Sequence, residues 1–301
     1  MEGNTMTSKS QFASLVAGIV LACAAAVSAE PQTVKVGSKN FTEQYILAEI
    51  YAAALENAGI RVERKINLGG TLIAHRALAT GEIDVYPEYT GTALISVVKG
   101  EVSRDAQKVY DQVKDFYEKQ FKVTWLKPAA INNGYALVVR SDTARKFNLK
   151  TLSDLSKVAK ELSIGAGPEF ADRKDGLPGL KTIYGAEFKE FRQFAKLGLR
   201  YDALAAHQID IANGFATDWQ ITEQDLVVLA DDKKLFPPYY VAPVIRQETL
   251  AANPKAADVL NELSALLDND TMRGLNARVE KQREEPRAVA RAFLKQKGLV
   301  K

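Results

Sequence analysis

The chain has 301 residues, of which 47% are hydrophobic and 26% charged, which is the composition of an ordinary globular protein long enough for two lobes. These proportions exclude disordered, collagen-like and coiled-coil proteins. There are 40 Lys and Arg residues against 37 Asp and Glu, so the formal net charge is only +3. The basic residues form no cluster, which argues against a nucleic-acid partner.

The first 29 residues have the pattern of a secretory signal peptide. Lys9 precedes an apolar run over 12–27, and small residues lead up to Ala29, after which we predict cleavage and a periplasmic mature protein. Cys23 is the only cysteine and lies in the removed segment, so thiol chemistry is excluded from the mature chain. Residues 20–23 also resemble a lipoprotein cleavage box, which leaves lipid anchoring at Cys23 as the lesser alternative.

From residue 34 the apolar periodicity alternates between strand and helix patterns. Asn40 and Glu43 have the spacing of a capping box, which predicts the start of the first helix. The predicted order is a strand ending at 37–38, a helix ending at Gly59, a strand over 60–66, a helix over 71–80 and a strand at 83–85. A β-α-β-α-β series of this kind is typical of a parallel sheet with helices on its faces.

Part of this series recurs later in the chain. Residues 78–85 align without gaps with residues 204–211, 126 positions further on. Two copies of one α/β unit predict two lobes with a cleft between them. Chance similarity between two helix–turn–strand units is the alternative.

Two extended segments, 132–135 and 236–240, each precede a predicted strand and are expected to carry the chain between the lobes. The predicted lobes are therefore residues 30–134 with 240–301, and residues 135–239. Helices over 254–267 and beyond Pro286 are expected to wrap the first lobe. The predicted fold class is α/β, with each lobe a mainly parallel sheet flanked by helices and the ligand in the cleft.

Motifs of catalysis, phosphate binding and metal binding are missing from the sequence. His75 and His207 are the only histidines, and both fall in predicted helices with no second ligand at metal spacing. We therefore predict neither an enzyme, nor a metal site, nor a cofactor.

The ends of the predicted strands carry aromatic and charged residues instead. Ligands in α/β sheets bind at such ends, close to helix N-termini. Packing within the loops is the alternative use of these side chains. The residues at these positions are Lys39, Gln44, Tyr86, Glu88, Tyr89, Thr92, Tyr135, Glu169, Phe170, Arg173, Asp175, Phe215, Thr217, Asp218, Tyr239 and Tyr240.

Several aromatic faces around one point have a specific use. A quaternary ammonium has no hydrogen to donate, and tyrosine faces hold it by cation–π attraction of about 0.5–2 kcal/mol per contact. A carboxylate on the same ligand is expected to meet Arg173, Lys39 and the hydroxyl of Thr92.

The motifs at these positions resemble those of the substrate-binding proteins of osmoprotectant ABC importers, the quaternary-amine uptake family. The resemblance covers the mature chain, and the motifs keep the family's order. It is carried by residues 37–44 (GSKNFTEQ), 87–92 (PEYTGT), 167–176 (GPEFADRKDG), 217–218 (TD) and 236–240 (FPPYY).

The resemblance implies a two-lobed type II periplasmic binding fold that closes on its ligand. It implies an aromatic box from Tyr89, Tyr135 and Tyr239, a carboxylate grip from Lys39, Thr92 and Arg173, and an interlobe or ligand-shell role for Glu169. Phe215 stands where close relatives carry a further cage tyrosine. Further candidates are Gln44, Asp84, Thr217, Asp218 and Tyr240, with Asp84 more simply explained by bonds to backbone amides of its own lobe.

The implied function is capture of glycine betaine, choline or carnitine and delivery to an ABC permease with its ATPase at the inner membrane, by a monomer. A binder of an amino acid or another small zwitterion, or a ligand-sensing partner of a membrane receptor, are the alternatives.

Overall fold

Residues 33–300, the part of the chain that the computed structural model describes, contain ten β-strands. The predicted signal peptide and Cys23 lie outside these residues. The strands are β1 (Val34–Gly37), β2 (Val62–Lys65), β3 (Val85–Tyr89), β4 (Val123–Trp125), β5 (Tyr135–Arg140), β6 (Ser163–Ala166), β7 (Glu190–Gln193), β8 (Ile211–Phe215), β9 (Leu226–Val228) and β10 (Val241–Arg246).

The strands form two five-stranded sheets, in the orders β2-β1-β3-β10-β4 and β7-β6-β8-β5-β9. Each sheet has two parallel pairs, around β1 and β6, and two antiparallel pairs, around β10 and β5. The predicted α/β class with two helix-flanked sheets is confirmed, but the sheets are mixed rather than mainly parallel. The strand that follows each crossing segment enters its sheet antiparallel, which the local periodicity does not show.

Helices cover both faces of each sheet. Each face packs against its helices in a separate buried apolar cluster, so there are two clusters for each sheet. In chain order the helices are α1 (Thr42–Asn57), α2 (Thr71–Ala79), α3 (Thr90–Ala93), α4 (Ala106–Phe121), α5 (Ser141–Phe147), α6 (Leu152–Val158), α7 (Leu177–Gly179), α8 (Leu197–Ala205), α9 (Gln220–Glu223), α10 (Gln247–Ala252), α11 (Lys255–Ala265), α12 (Asn269–Glu280) and α13 (Pro286–Gln296).

The three C-terminal helices pack against α1, so the end of the chain completes the apolar core beside the first sheet. Helices α11 and α13 were predicted, whereas α12 between them was not. Among residues 33–300, none of the helices combines the length and the apolarity needed to cross a membrane.

Two local predictions are wrong. The N-cap of α1 is Phe41, without a side-chain hydrogen bond, and Glu43 is buried rather than folded back on the helix end. His207 follows α8 rather than lying in a helix, with a positive φ of 55° and an exposed side chain.

The two copies of the internal repeat form equivalent elements and equivalent hydrogen bonds in the two sheets. Helix α2 with β3 and helix α8 with β8 have the same lengths and lie 126 positions apart. Asp84 accepts a hydrogen bond from the backbone of Lys35 (2.8 Å), and Asp210 accepts the corresponding bond from Ser163 (2.8 Å). Such matched contacts favour a repeated unit over chance similarity.

The two crossing segments lie side by side. Asn132 and Tyr240 form an antiparallel bridge, and the backbone amide of Asn133 donates to the carbonyl of Tyr239 (3.1 Å). The second segment also rests on α3, where Gly91 leaves no space for a side chain. A Cβ added there would lie 2.7 Å from the carbonyl oxygen of Pro238 and 2.8 Å from the ring of Tyr239.

We predict that Gly91→Ala lowers the free energy of unfolding by about 1–3 kcal/mol, since backbone rather than a flexible side-chain end must move. Urea denaturation measures this. Gly274→Ala, in α12 with no neighbouring atom within 4 Å of the added Cβ, is the matched control and should raise stability by about 0.5–1 kcal/mol. Equal effects of the two substitutions would contradict the tight contact.

Candidate functional site

A small cavity of about 70 Å³ is lined by residues from both sheets. Each predicted strand-end segment contributes to it, because the sheets present their strand ends to the same cleft. Eight predicted candidates line it together with three residues that were not predicted. The lining residues are Lys39, Phe41, Thr71, Tyr89, Thr92, Asn133, Tyr135, Glu169, Arg173, Phe215 and Tyr239.

Five of these residues are aromatic, and their rings form a connected set. Phe41 stacks between Tyr89 and Phe215, with ring centroids 6.3 and 6.1 Å away. Tyr135 lies 5.5 Å from Phe215 and 5.7 Å from Tyr239. Burial raises the pKa of Tyr135 to about 12, so its phenol is neutral at physiological pH.

The two cations of the cavity are already neutralised by buried carboxylates. The Lys39 ammonium lies 2.5 Å from Glu88, whose side chain is fully buried. Arg173 makes a two-point pair with Asp175, with Nε and Nη2 at 2.8 and 2.5 Å from its oxygens. The two cationic residues of the predicted grip therefore line the cavity while each is held by an acidic partner.

Buried carboxylates also hold two of the tyrosines. The Tyr239 hydroxyl donates to Asp175 (2.5 Å), so one carboxylate fixes both a cation and a ring. The Tyr89 hydroxyl donates to Glu43 (2.7 Å). Neither phenol has an O–H left to donate to a ligand, and both residues line the cavity with their rings.

Glu169 bridges the two halves of the cleft. Its carboxylate accepts from the backbone amide (2.8 Å) and the hydroxyl (3.1 Å) of Thr71, at the N-terminus of α2. A carboxylate is stabilised at a helix N-terminus by the exposed amides and the helix dipole. The contact joins the loop after β6 to the first-sheet half of the chain.

Glu43 forms hydrogen bonds with residues from several parts of the chain. It is buried, and its carboxylate accepts hydrogen bonds from Tyr89, Asn133 (2.9 Å), Thr217 (2.5 Å) and Asn276 (3.2 Å). Burial raises the pKa of Glu43, while these four donors oppose the increase. The residue lies behind the aromatic cavity.

The further candidates occupy supporting positions outside the cavity. Gln44 links the backbone of Lys39 (3.1 Å) to the carbonyl of Pro87 (2.8 Å). Thr217 binds Glu43, and Asp84 binds the backbone of its own sheet. Tyr240 faces a different cavity, beside Tyr110 and Pro128.

Asp218 positions the end of β8. Its Oδ2 accepts from the Tyr201 hydroxyl and from the backbone amide of Phe215, both at 2.7 Å. Burial raises the pKa of Asp218 to about 7.

A second compartment of about 180 Å³ adjoins the aromatic cavity. Six residues line both spaces, namely Lys39, Phe41, Thr71, Tyr135, Glu169 and Phe215. A larger cavity of about 510 Å³, with Tyr45, Trp219 and Glu280 in its wall, contains none of the predicted candidates.

The residues that sequence reasoning missed are mainly the partners of those it found. Phe41 lies inside the segment 37–44, but its role as the central ring of the stack has no local signal. Asp175 was named at a strand end but not as the partner of Arg173, although its place two residues later is compatible with the observed pair. In the described part of the chain, no group of three or more His, Cys, Asp or Glu side chains is arranged to hold a metal ion.

The buried carboxyl of Asp218 predicts a pH-dependent stability. Between pH 4 and 7 the native state retains a proton that the unfolded state has released, so the free energy of unfolding falls as pH rises. The decrease from this group is roughly 4 kcal/mol across the window and is complete above about pH 7. Asp218→Asn should remove this pH dependence, because its side chain does not titrate. Its amide oxygen can still accept the bonds from Tyr201 and Phe215.

Urea unfolding from pH 4 to 8 measures this difference, with Asp202→Asn on the exposed face of α8 as the control. Parallel pH profiles for the native protein and Asp218→Asn would contradict the assignment.

Comparison with known proteins identifies the family. The model for the substrate binding domain of the ABC-type glycine betaine transport system matches residues 32–296. A glycine-betaine-binding protein of Pseudomonas aeruginosa is 37% identical over 300 residues, covering 95% of this chain and 96% of the relative. The fold is also similar to that of a protein solved as the crystal structure of a glycine betaine/carnitine/choline ABC transporter, with a TM-score of 0.74. The two sequences are 32% identical, and the match covers 88% of this chain and 99% of that one.

A Helicobacter pylori protein named ergothioneine transport permease/ergothioneine binding protein EgtU is 37% identical over 272 residues. The alignment covers 90% of this chain but only 48% of the relative, so the chain spans about half of that protein's length. Because the family match extends over nearly all of its residues, the chain belongs to the substrate-binding domains of ABC-type glycine betaine transport systems.

Proposed function

We propose that this protein captures a quaternary ammonium osmoprotectant, of the glycine betaine, choline or carnitine type, in the aromatic cavity and delivers it to an ABC permease. The observation that carries the proposal is the set of five rings around a cavity whose own cations are each paired with a carboxylate. The names of the relatives supply the ligand class.

The electrostatics of the cavity suit a diffuse cation. Pairing of Lys39 with Glu88 and of Arg173 with Asp175 removes the net repulsion that two buried cations would exert. Hydrogen bonds from Tyr89 and Tyr239 to carboxylates leave their rings more electron-rich, which strengthens cation–π attraction. The rings at the four predicted cage positions, Tyr89, Tyr135, Tyr239 and Phe215, would supply about 0.5–2 kcal/mol each and so much of the roughly 8 kcal/mol of a micromolar complex.

A ligand carboxylate has donors at the edge of the same cavity. Arg173 uses Nε and Nη2 on Asp175, and its Nη1 lies 3.3 Å from the Ser96 hydroxyl. Because a guanidinium carries five N–H groups, hydrogens remain for a ligand. Thr92 adds a hydroxyl to the same wall.

The same proposal includes the protein's surroundings. It would act as a periplasmic monomer, exported through the segment 1–29, with a permease and its ATPase at the inner membrane as partners and without enzymatic activity. Its lobes would be residues 30–134 with 240–301, and residues 135–239, closing on the ligand. The two sheets support this division, since strands β5 to β9 all fall within 135–239.

A methylation series tests the ligand class. Calorimetric titration with glycine betaine, dimethylglycine and glycine should give affinities that fall as methyl groups are lost, because N–H groups need acceptors that a wall of rings does not offer. Tighter binding of glycine than of glycine betaine would instead support the alternative, an amino-acid binder.

Substitution of a ring tests the cage. We predict that Tyr135→Ala weakens glycine betaine binding by about 1–2 kcal/mol, while Tyr135→Phe, which keeps the ring, costs clearly less. Tyr240→Ala is the matched control, because this tyrosine lies in a crossing segment but faces another cavity. Equal affinities for Tyr135→Ala and Tyr240→Ala would remove Tyr135 from the site.

A further inference from the structure

Three cationic side chains are buried in the described part of the chain, and one of them has no carboxylate partner. Lys39 and Arg173 have theirs in Glu88 and Asp175. Arg200, on α8, is 7% exposed, and no carboxylate oxygen of residues 33–300 forms an ion pair with it. A buried charge without an ion-pair partner is costly, so an anionic ligand beside Arg200 would be stabilised.

The contacts of Arg200 leave much of its hydrogen-bonding capacity unused. Nη1 donates to the backbone oxygen (2.6 Å) and the side-chain oxygen (3.1 Å) of Asn213, whereas buried Nε has no partner. Asp218 contributes an electrostatic attraction, but its pKa of about 7 leaves this carboxyl only partly ionised at neutral pH.

Arg200 lines the second compartment, next to the aromatic cavity. Its guanidinium carbon lies 5.8 Å from the centroid of Phe215, which belongs to the walls of both spaces. Tyr135, the other ring shared by the two spaces, has Arg173 at 5.4 Å. Each of the two rings therefore has a guanidinium nearby, that of Arg173 at Tyr135 and that of Arg200 at Phe215. Of these two arginines, only Arg173 is already paired with a carboxylate of the protein.

We propose that the compartment beside Phe215 is a subsite for the carboxylate of a betaine longer than glycine betaine, and that Arg200 binds this carboxylate. The inference rests on the proposed function, which places the trimethylammonium group in the aromatic cavity. A chain of several carbons passes Phe215 and brings its carboxylate to Arg200, whereas the carboxylate of glycine betaine stays within the first cavity. Arg200 is thus a specificity-determining residue for ligand length.

Calorimetric titration of three variants with glycine betaine and L-carnitine tests this subsite. Arg200→Gln should weaken L-carnitine binding about tenfold or more, through the loss of charge-assisted bonds, and leave glycine betaine within about threefold. Arg200→Lys, which keeps the charge without the planar fork, should lie between Arg200→Gln and the native protein for L-carnitine. Arg192→Gln, at an exposed position of β7, controls for removal of one positive charge and should change neither affinity.

If Arg200→Gln still binds glycine betaine, the variant is folded. If it does not, Arg200→Lys is used for the same comparison of the two ligands. Equal losses for both ligands, or an unchanged affinity for L-carnitine, would overturn the subsite and leave the proposed function intact. If the native protein bound neither amine, the subsite would be overturned, and the proposed function would fail with it unless choline bound.

Discussion

One buried carboxylate, that of Glu43, connects the parts of the chain that must be placed correctly for the site to exist. Its donors come from the end of β3, the first crossing segment, the loop after β8 and α12. A buried charge is tolerated only when its oxygens are fully hydrogen-bonded, so the four donors and the acid require each other. The position of Tyr89 therefore depends on contacts far from the cavity.

The same physical rule organises the rest of the cleft. Two further buried acids hold groups that face the cavity: Glu88 holds Lys39, and Asp175 holds both Arg173 and Tyr239. Side chains fixed in this way lose little conformational freedom when a ligand arrives, which favours affinity. The candidate site is therefore an aromatic surface supported from behind by carboxylates, rather than a set of free charges.

Much of the fold was predictable because its signals are local. Apolar periodicity placed β1, α1 and α2 close to their observed bounds, and the repeated segment marked equivalent units in the two sheets. Residues at strand ends were predictable as cavity walls because strand ends meet at one edge. Glu43 was misread because a glutamate three residues after Asn40 fits a capping box equally well, and its true partners are 46 to 233 positions away.

The partners of the charged residues and the orientation of neighbouring side chains were not predictable in the same way. Tyr239 and Tyr240 have the same side chain, but successive residues of an extended segment point to opposite sides, so only one of them reaches the aromatic cavity. The lack of an ion pair between Arg200 and any carboxylate of residues 33–300 is likewise a property of the assembled fold. No spacing in the sequence distinguishes this arginine from Arg173.

The place of β10 constrains the order in which the two sheets can form. Strands β5 to β9 follow one another in the chain, so the second sheet has all its strands once residue 228 is available. The first sheet has a gap until residues 241–246 arrive, because β10 lies between β3 and β4, and β4 pairs with no other strand of that sheet. A chain that is synthesised from its N-terminus can thus complete the second sheet first. The first sheet, although its strands begin earlier in the chain, is still without β10 at that point.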